Sequence, residues 1–237
     1  MEGADMLRIE GLYLEQSGFE LGADFVAQSG QRLAILGPSG AGKSSLLAAI
    51  GGFFTPKSGH IYWEDQELTS LRPSDRPVSF LFQDQNLFAH LTIEDNLWLA
   101  LSGGRGRKTA GQADQITDAL EKMGLSGYQG RRPGALSGGQ VARAALSMVL
   151  LRARPIILLD EPFAALGPGL KQEMLSVVRD VAAQTQALVL LVTHQPQDAL
   201  DFATDSIFID AGRTSYPKNT KEFFAHPSPE LQDYLGK

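Results

Sequence analysis

Between Arg32 and Ser45 the chain reads RLAILGPSGAGKSS. A short, mostly apolar run leads into Gly37, Gly40 and Gly42, and then into Lys43, Ser44, Ser45 and the helical pattern SSLLAAIGG. Residues 37–44 fit G-x-x-x-x-G-K-[ST] in the strand-to-helix setting that this motif requires. The three glycines let backbone N–H groups surround phosphate oxygens. The helix start adds its positive dipole end. Gly37, Pro38, Ser39, Gly40, Ala41, Gly42, Lys43, Ser44 and Ser45 are therefore expected to hold a nucleoside triphosphate. Lys43 would reach its β- and γ-phosphates, and Ser44 would give its hydroxyl to Mg²⁺. A flexible glycine turn is the alternative, and the flanking strand and helix patterns weigh against it.

Three more short apolar runs match the first: Val78–Phe82 (VSFLF), Ile156–Leu159 (IILL) and Leu188–Val192 (LVLLV). Separated by helical patterns, they predict an α/β fold whose parallel strands are buried on both faces. Ligands of such sheets gather beyond the carboxyl ends of the strands. Polar residues follow each run there: Gln83, then Asp160 with Glu161, then Thr193 with His194. Asp160 is expected to hold Mg²⁺ through its water shell. Glu161 would orient and polarise an attacking water, and the following Pro162 biases its backbone away from helix. Adjacent acids at a strand end can also be a solvated loop or a helix cap. Gln83 could bond both Mg²⁺ and water, while His194 could contact the γ-phosphate. Taken alone, His194 would be an ordinary surface or core histidine; its place after the fourth strand raises it. His60, His90 and His226 show no ligand spacing, so a protein-bound transition metal is not expected.

The net charge of −6 argues against a nucleic-acid surface. There is no cysteine, which excludes disulfides and thiolate metal sites. The N-terminus is acidic and lacks the apolar stretch of a signal peptide. Apolar runs are too short to span a bilayer, so any membrane link is expected to be peripheral.

GPSGAGKSS, the glutamine after a strand, LSGGQ, LLDEP and VTH, in that order, resemble the ATPase subunit of ATP-binding-cassette transporters. The likeness runs from about Leu7 to the last helix. It implies one domain over 1–237, with a P-loop (RecA-like) mostly parallel core, an N-terminal antiparallel β part and an inserted helical subdomain. The core would take 1–85 and 152–237, and the helical part 86–151. It also implies a partner for the second glycine-rich helix start. Ser137, Gly138, Gly139 and Gln140 would close over ATP held by a second copy of the protein, in a head-to-tail dimer. The segment DQNLFAHLTIEDNL, with Leu87, Phe88 and Leu91, is implied to receive a membrane permease; plain helix core is the alternative. An aromatic stacked on adenine is also implied, with Tyr13 preferred and Gln16 or Phe19 as alternatives.

RPVSFLFQDQNLFAHLT, GGFFTPKSGHI and IILLDEPF are most similar to the ATPases of bacterial thiamine importers. This implies an inner-membrane permease, a periplasmic solute-binding protein and a peripheral location on the cytoplasmic face. A ferric-iron or organic-cation importer, and a weakly hydrolysing regulatory module, are the alternatives. The chain departs from the family where an aspartate usually links the two sites of the dimer: Gly167 stands there, a residue free to adopt positive φ. Val141-Ala142-Arg143 also replaces the usual Arg-Gln-Arg after LSGGQ. The loop 103–108 (GGRGRK) reads as a solvated connection in preference to a nucleic-acid patch.

Overall fold

The computed structural model describes residues 5–16, 18–83, 87–103 and 106–236. The four expected strands form where their sequences place them: β3 (Arg32–Leu36), β6 (Val78–Leu81), β7 (Ile156–Asp160) and β8 (Leu188–Val192). Around them lie β1 (Met6–Gln16), β2 (Phe19–Gln28), β4 (Ser58–Trp63), β5 (Gln66–Glu67), β9 (Asp205–Asp210), β10 (Arg213–Thr214) and β11 (Lys218–Asn219). The helices are α1 (Lys43–Gly51), α2 (Ile93–Ser102), α3 (Ala110–Lys122), α4 (Gly138–Leu151), α5 (Pro168–Thr185), α6 (Pro196–Phe202), α7 (Thr220–Ala225) and α8 (Pro229–Leu235).

One sheet runs in the order β5-β4-β1-β2-β10-β9-β3-β8-β7-β6, with β11 also on β9. Strands β9, β3, β8, β7 and β6 are parallel neighbours. β1 pairs antiparallel with β2 and with β4, giving the expected antiparallel part. In β1 the alternation of buried and exposed residues breaks between Ile9 and Leu12, where the register shifts. The bulge, with Gly11 at φ 51°, returns Leu12 and Leu14 to the face already used by Leu7 and Ile9.

The unbroken apolar runs are explained by period-two packing. Ile156 and Leu158 of β7, with Leu188, Leu190 and Val192 of β8, join the core shared with α1 and the antiparallel strands. Ile157, Leu159, Val189 and Leu191 point to the opposite core, shared with α2 to α5. Under β3 and β9 a third cluster takes Ala34, Leu36 and Phe208 with Ala199, Phe223 and Leu231 of α6, α7 and α8. Both faces are covered, so alternation is lost.

Between β6 and β7 the described elements are helices only: α2, a 3₁₀ turn at Pro133–Ala135, α3 before it and α4 after it. These helices share their core with β7, β8 and α5, so this stretch is welded to the sheet. Helix α1, which follows the glycine loop, is anchored at its far end. The buried Arg76 guanidinium donates to the carbonyls of Ala49 and Ile50 at 2.7 and 2.8 Å. These are last-turn carbonyls, of which that of Ala49 also accepts from the C-cap Gly52 N at 3.2 Å. Desolvation holds the Arg76 pKa below its ordinary value.

Candidate functional site

The loop between β3 and α1 is built by close approach. A Cβ on Gly37 would sit 2.4 Å from the Ile209 carbonyl oxygen of β9. Gly42, at φ 97°, is the N-cap of α1, and a Cβ there would sit 2.2 Å from the Phe19 ring. The start of α1 carries no side-chain cap and no acidic residue in its first turn. Its leading N–H groups are thus left for an anion. Lys43 is buried and its Nζ donates to the carbonyls of Gly37 and Pro38 at 2.8 and 2.7 Å. Burial lowers the Lys43 pKa, and the nearby Glu161 and Asp160 charges oppose that shift.

Sheet order brings the other groups to this loop. β8 adds beside β3, and β7 adds beside β8. Ser44 Oγ donates to Asp160 Oδ1 at 2.9 Å across that span. A hydroxyl and a carboxylate so close form a hard-oxygen pair suited to Mg²⁺. Among the described residues no group of three His, Cys, Asp or Glu could hold a metal. A Mg²⁺ here would therefore share its remaining positions with phosphate oxygens and water. Burial raises the Asp160 pKa, followed by the lowering effect of the Ser44 hydrogen bond and the raising effect of Glu161.

Glu161 has φ 45°, in the left-handed region. The proline after it disfavours helix, as expected, but the backbone is not extended; its N–H donates to Val192 O at 3.2 Å. For a residue with a side chain this conformation costs about 1–2 kcal/mol. That cost turns the carboxylate across to the neighbouring strand end, where Glu161 Oε1 lies 2.6 Å from His194 Nε2. One cleft is lined by Gln16, Phe19, Ser39, Gly40, Gly42, Lys43, Ser44, Ser45, Glu161 and His194.

Tyr13 requires a correction. It lines a different cavity, with Glu20, Gly22 and Arg213, and its ring lies 6.0 Å from Lys57 Nζ. Strand register explains the difference: Tyr13 pairs with Gly22 and Ser58 inside the antiparallel strands, whereas Gln16 and Phe19 flank the β1–β2 turn beside the glycine loop. Gln83 is exposed just past β6 and does not line the cleft. Pro38 and Ala41 belong to the loop's backbone without lining the cleft.

Ser137, Gly138, Gly139 and Gln140 lie outside the cleft. Ser137 caps α4: its Oγ accepts from Gln140 N at 3.4 Å, and Gln140 Oε1 accepts from Ser137 N at 2.9 Å. A Cβ on Gly139 would meet the terminal methyl of Leu170 at 2.5 Å, so a larger residue there would make the Leu170 side chain shift where α4 approaches α5. Gly167 is the N-cap of α5 with φ −63° and ψ 155°, so the anticipated positive φ is absent. Nothing lies within 4 Å of a Cβ built on it.

Phe88 is 54 % exposed and sits in the turn before α2, not in helix core. Buried Asn96 holds it there, accepting from Phe88 N at 2.7 Å. Phe88 borders a groove with Phe80, Phe82, Leu87, Leu99 and Met148. Residues 84–86 of the same segment, including the boundary at 86, lie outside the described residues, as do 104 and 105 of the basic loop. Lys108 of that loop pairs with Asp95 at 2.6 Å and Glu94 at 3.3 Å.

Sequence reading missed a buried network beside the cleft. Lys171 Nζ lies 2.6 Å from Asp198 Oδ2 and 3.0 Å from Gln195 Oε1. Asp198 also accepts from Thr193 Oγ1 at 2.5 Å. One signal was available: Lys171 stands on the buried stripe of α5 with Met174, Leu175, Val178 and Ala182. A lysine on such a stripe needs a partner.

A family model described as ABC transporter matches residues 22–164. The chain is 53% identical over 231 residues to the thiamine import ATP-binding protein ThiQ of Cereibacter sphaeroides, covering 98% of this chain and 100% of that protein. It is 41% identical over 237 residues to the protein of the same name from Vibrio cholerae, covering 100% and 97%. Among solved structures, an ATP-binding cassette of an ABC transporter in its ADP conformation superposes with a TM-score of 0.85 at 24% identity, covering 99% and 100%. A nucleotide-free cassette gives 0.85 at 23%, covering 98% of each chain. These two likenesses concern the fold.

Proposed function

The chain belongs to the ABC transporter family, and from that premise we propose that it is the ATP-hydrolysing subunit of a thiamine importer. The carrying observation is the convergence of the loop 37–45, Asp160, Glu161 and His194 at the carboxyl ends of three adjacent parallel strands. The thiamine assignment comes from relatives whose names state thiamine import.

In this reading the glycine loop and the start of α1 bind the ATP phosphates, and Lys43 swings from the carbonyls of Gly37 and Pro38 to the β- and γ-phosphates. Ser44 and Asp160, together with Gln83 after β6, would hold Mg²⁺, which would supply positive charge to offset that developing on the phosphates. Glu161 releases His194 and turns its carboxylate to the attacking water. His194 then bonds the γ-phosphate. Proton acceptance by Glu161 and charge stabilisation by Lys43 supply the chemistry.

Ser137, Gly138, Gly139 and Gln140 close over the ATP of a second copy, and the reciprocal contact completes the other site. The groove beside Phe88 receives a cytoplasmic segment of an inner-membrane permease, which a periplasmic solute-binding protein supplies with thiamine. The protein thus works peripherally on the cytoplasmic face. Among the described residues no helix is long and apolar enough to cross a membrane. The inserted stretch 86–151 serves as the helical subdomain, carrying α4 and its Ser137–Gln140 start on the 1–85 and 152–237 core.

The test is co-purification with a thiamine permease in lipid nanodiscs. Thiamine with its binding protein should stimulate ATP hydrolysis at least threefold, whereas iron carriers and other organic cations should not. Stimulation by one of those solutes in place of thiamine would refute the substrate assignment.

A further inference from the structure

The imidazole of His194 is fixed through more than its contact with Glu161. On its N-terminal side, Thr193 Oγ1 donates to buried Asp198 and accepts from Gln195 N at 3.1 Å. On the opposite side lies a residue forty positions away in sequence. Tyr234 Oη donates to the backbone carbonyl of His194 at 3.1 Å.

Tyr234 belongs to α8, the last helix of the chain. That helix is closed at its start by Ser228, whose Oγ accepts from Leu231 N at 3.3 Å, and at its end by Gly236 at φ 69°. Leu231 is buried against Ala34, Leu36 and Phe208, the β3 and β9 residues directly under the glycine loop. The Tyr234 ring packs on Phe208 with centroids 5.4 Å apart. The phenol is therefore held by the sheet that carries the site. The ring is half-buried, and its hydroxyl meets the His194 carbonyl at the edge of the packed face. Burial and the nearby Glu161 charge raise the Tyr234 pKa, so the group stays a donor throughout the physiological range.

We infer that Tyr234 is a positioning residue for ATP hydrolysis: by holding the His194 carbonyl, the C-terminal helix sets the tilt of the imidazole toward Glu161 and the γ-phosphate. The inference rests on the proposed role of His194 and adds to it a part for α8. A donor on the His194 carbonyl oxygen limits reorientation of the 194–195 peptide plane through the backbone torsions beside it, and a small backbone shift at His194 moves the ring. Such misplacement lowers kcat while ATP binding through the glycine loop is untouched.

Tyr234→Phe removes the hydroxyl and keeps the ring on Phe208. Loss of one hydrogen bond of ordinary strength corresponds to a fall in kcat of about 3- to 10-fold, with KM for ATP unchanged. The variant should also shift the His194 imidazole resonances in NMR spectra, leaving those of His60, His90 and His226 in place. In a His194→Ala background, Tyr234→Phe should add no further loss of residual turnover. Unchanged kcat in the single variant overturns the inference, as does the same fractional loss in both backgrounds, which marks a structural role. Full turnover by His194→Ala alone removes the role of His194 itself and the inference with it.

Discussion

The carboxylate of Glu161 and the imidazole of His194 meet at 2.6 Å across the ends of two neighbouring strands, β7 and β8. The pair brings together the two groups assigned to the water and to the γ-phosphate. In the proposed mechanism each of the two groups turns to face the reacting centre. If Glu161 acts on water and not on ATP binding, Glu161→Gln should keep ATP affinity. Turnover should fall by about 10²-fold or more, and an ATP-bound dimer should accumulate. Steady-state ATPase and size-exclusion chromatography with ATP measure both; near-normal turnover would remove Glu161 from its role.

Lys43 behaves differently. Its buried ammonium is the full positive charge of the glycine loop, held by the carbonyls of Gly37 and Pro38. Lys43→Ala should lose ATP binding and turnover together, because a charge-assisted contact is removed from ground and transition states alike. Calorimetric titration with Mg-ATP reads this directly. Unchanged affinity would contradict the phosphate-loop assignment.

The adenine contact is now separable. Phe19 lies against Gly42 and lines the cleft with Gln16, while Tyr13 faces another cavity. Phe19→Ala should weaken ATP binding by about 3- to 10-fold through the lost aromatic face, and Tyr13→Ala should leave it unchanged. Fluorescent-nucleotide titration of both variants decides; the reverse ranking would restore Tyr13.

At Gly167 the backbone has φ −63° and ψ 155°, a conformation that any L-residue adopts, and the Cβ direction is open. Gly167→Asp should therefore fold, and it should cap α5 with a gain of a few tenths of a kcal/mol (about 0.3). We expect it also to raise ATP-induced dimerisation and positive cooperativity, by placing a carboxylate at the turn where the family resemblance implies one that links the two sites. ATPase rate against ATP concentration and light scattering would test this. No change in either, with normal folding, would show that the missing carboxylate is simply tolerated.

Breaking the buried pair beside the cleft should cost stability. Lys171 and Asp198 are 11 % and 4 % exposed along their side chains. Lys171→Met strands the carboxylate, at an expected cost of about 3 kcal/mol. Urea denaturation should show a lower midpoint with an unchanged slope; an unaltered midpoint would mean that Thr193 and solvent satisfy Asp198 alone.

The sequence by itself determined four of the five parallel core strands, their burial on both faces and the glycine loop between β3 and α1. Each is a local property. An apolar run with no alternation reads as a strand covered on both sides, and Gly37, Gly40, Gly42 and Lys43 announce phosphate by spacing alone. Asp160, Glu161 and His194 were also legible as neighbours of the glycine loop, because they end or follow β7 and β8, the next strands beyond β3 in the sheet, whereas Gln83, after the edge strand β6, is exposed outside the cleft. Tertiary structure alone decided the rest. Tyr13 and Phe19 are both aromatics near the first turn, and only the register of β1 against β2 and β4 separates them. The left-handed backbone of Glu161, the support of α1 by Arg76 and the contact of Tyr234 with His194 all join residues distant in sequence. No spacing rule reports them. They depend on which strands end side by side and which helix is packed beneath, and that is fixed only when the whole core closes.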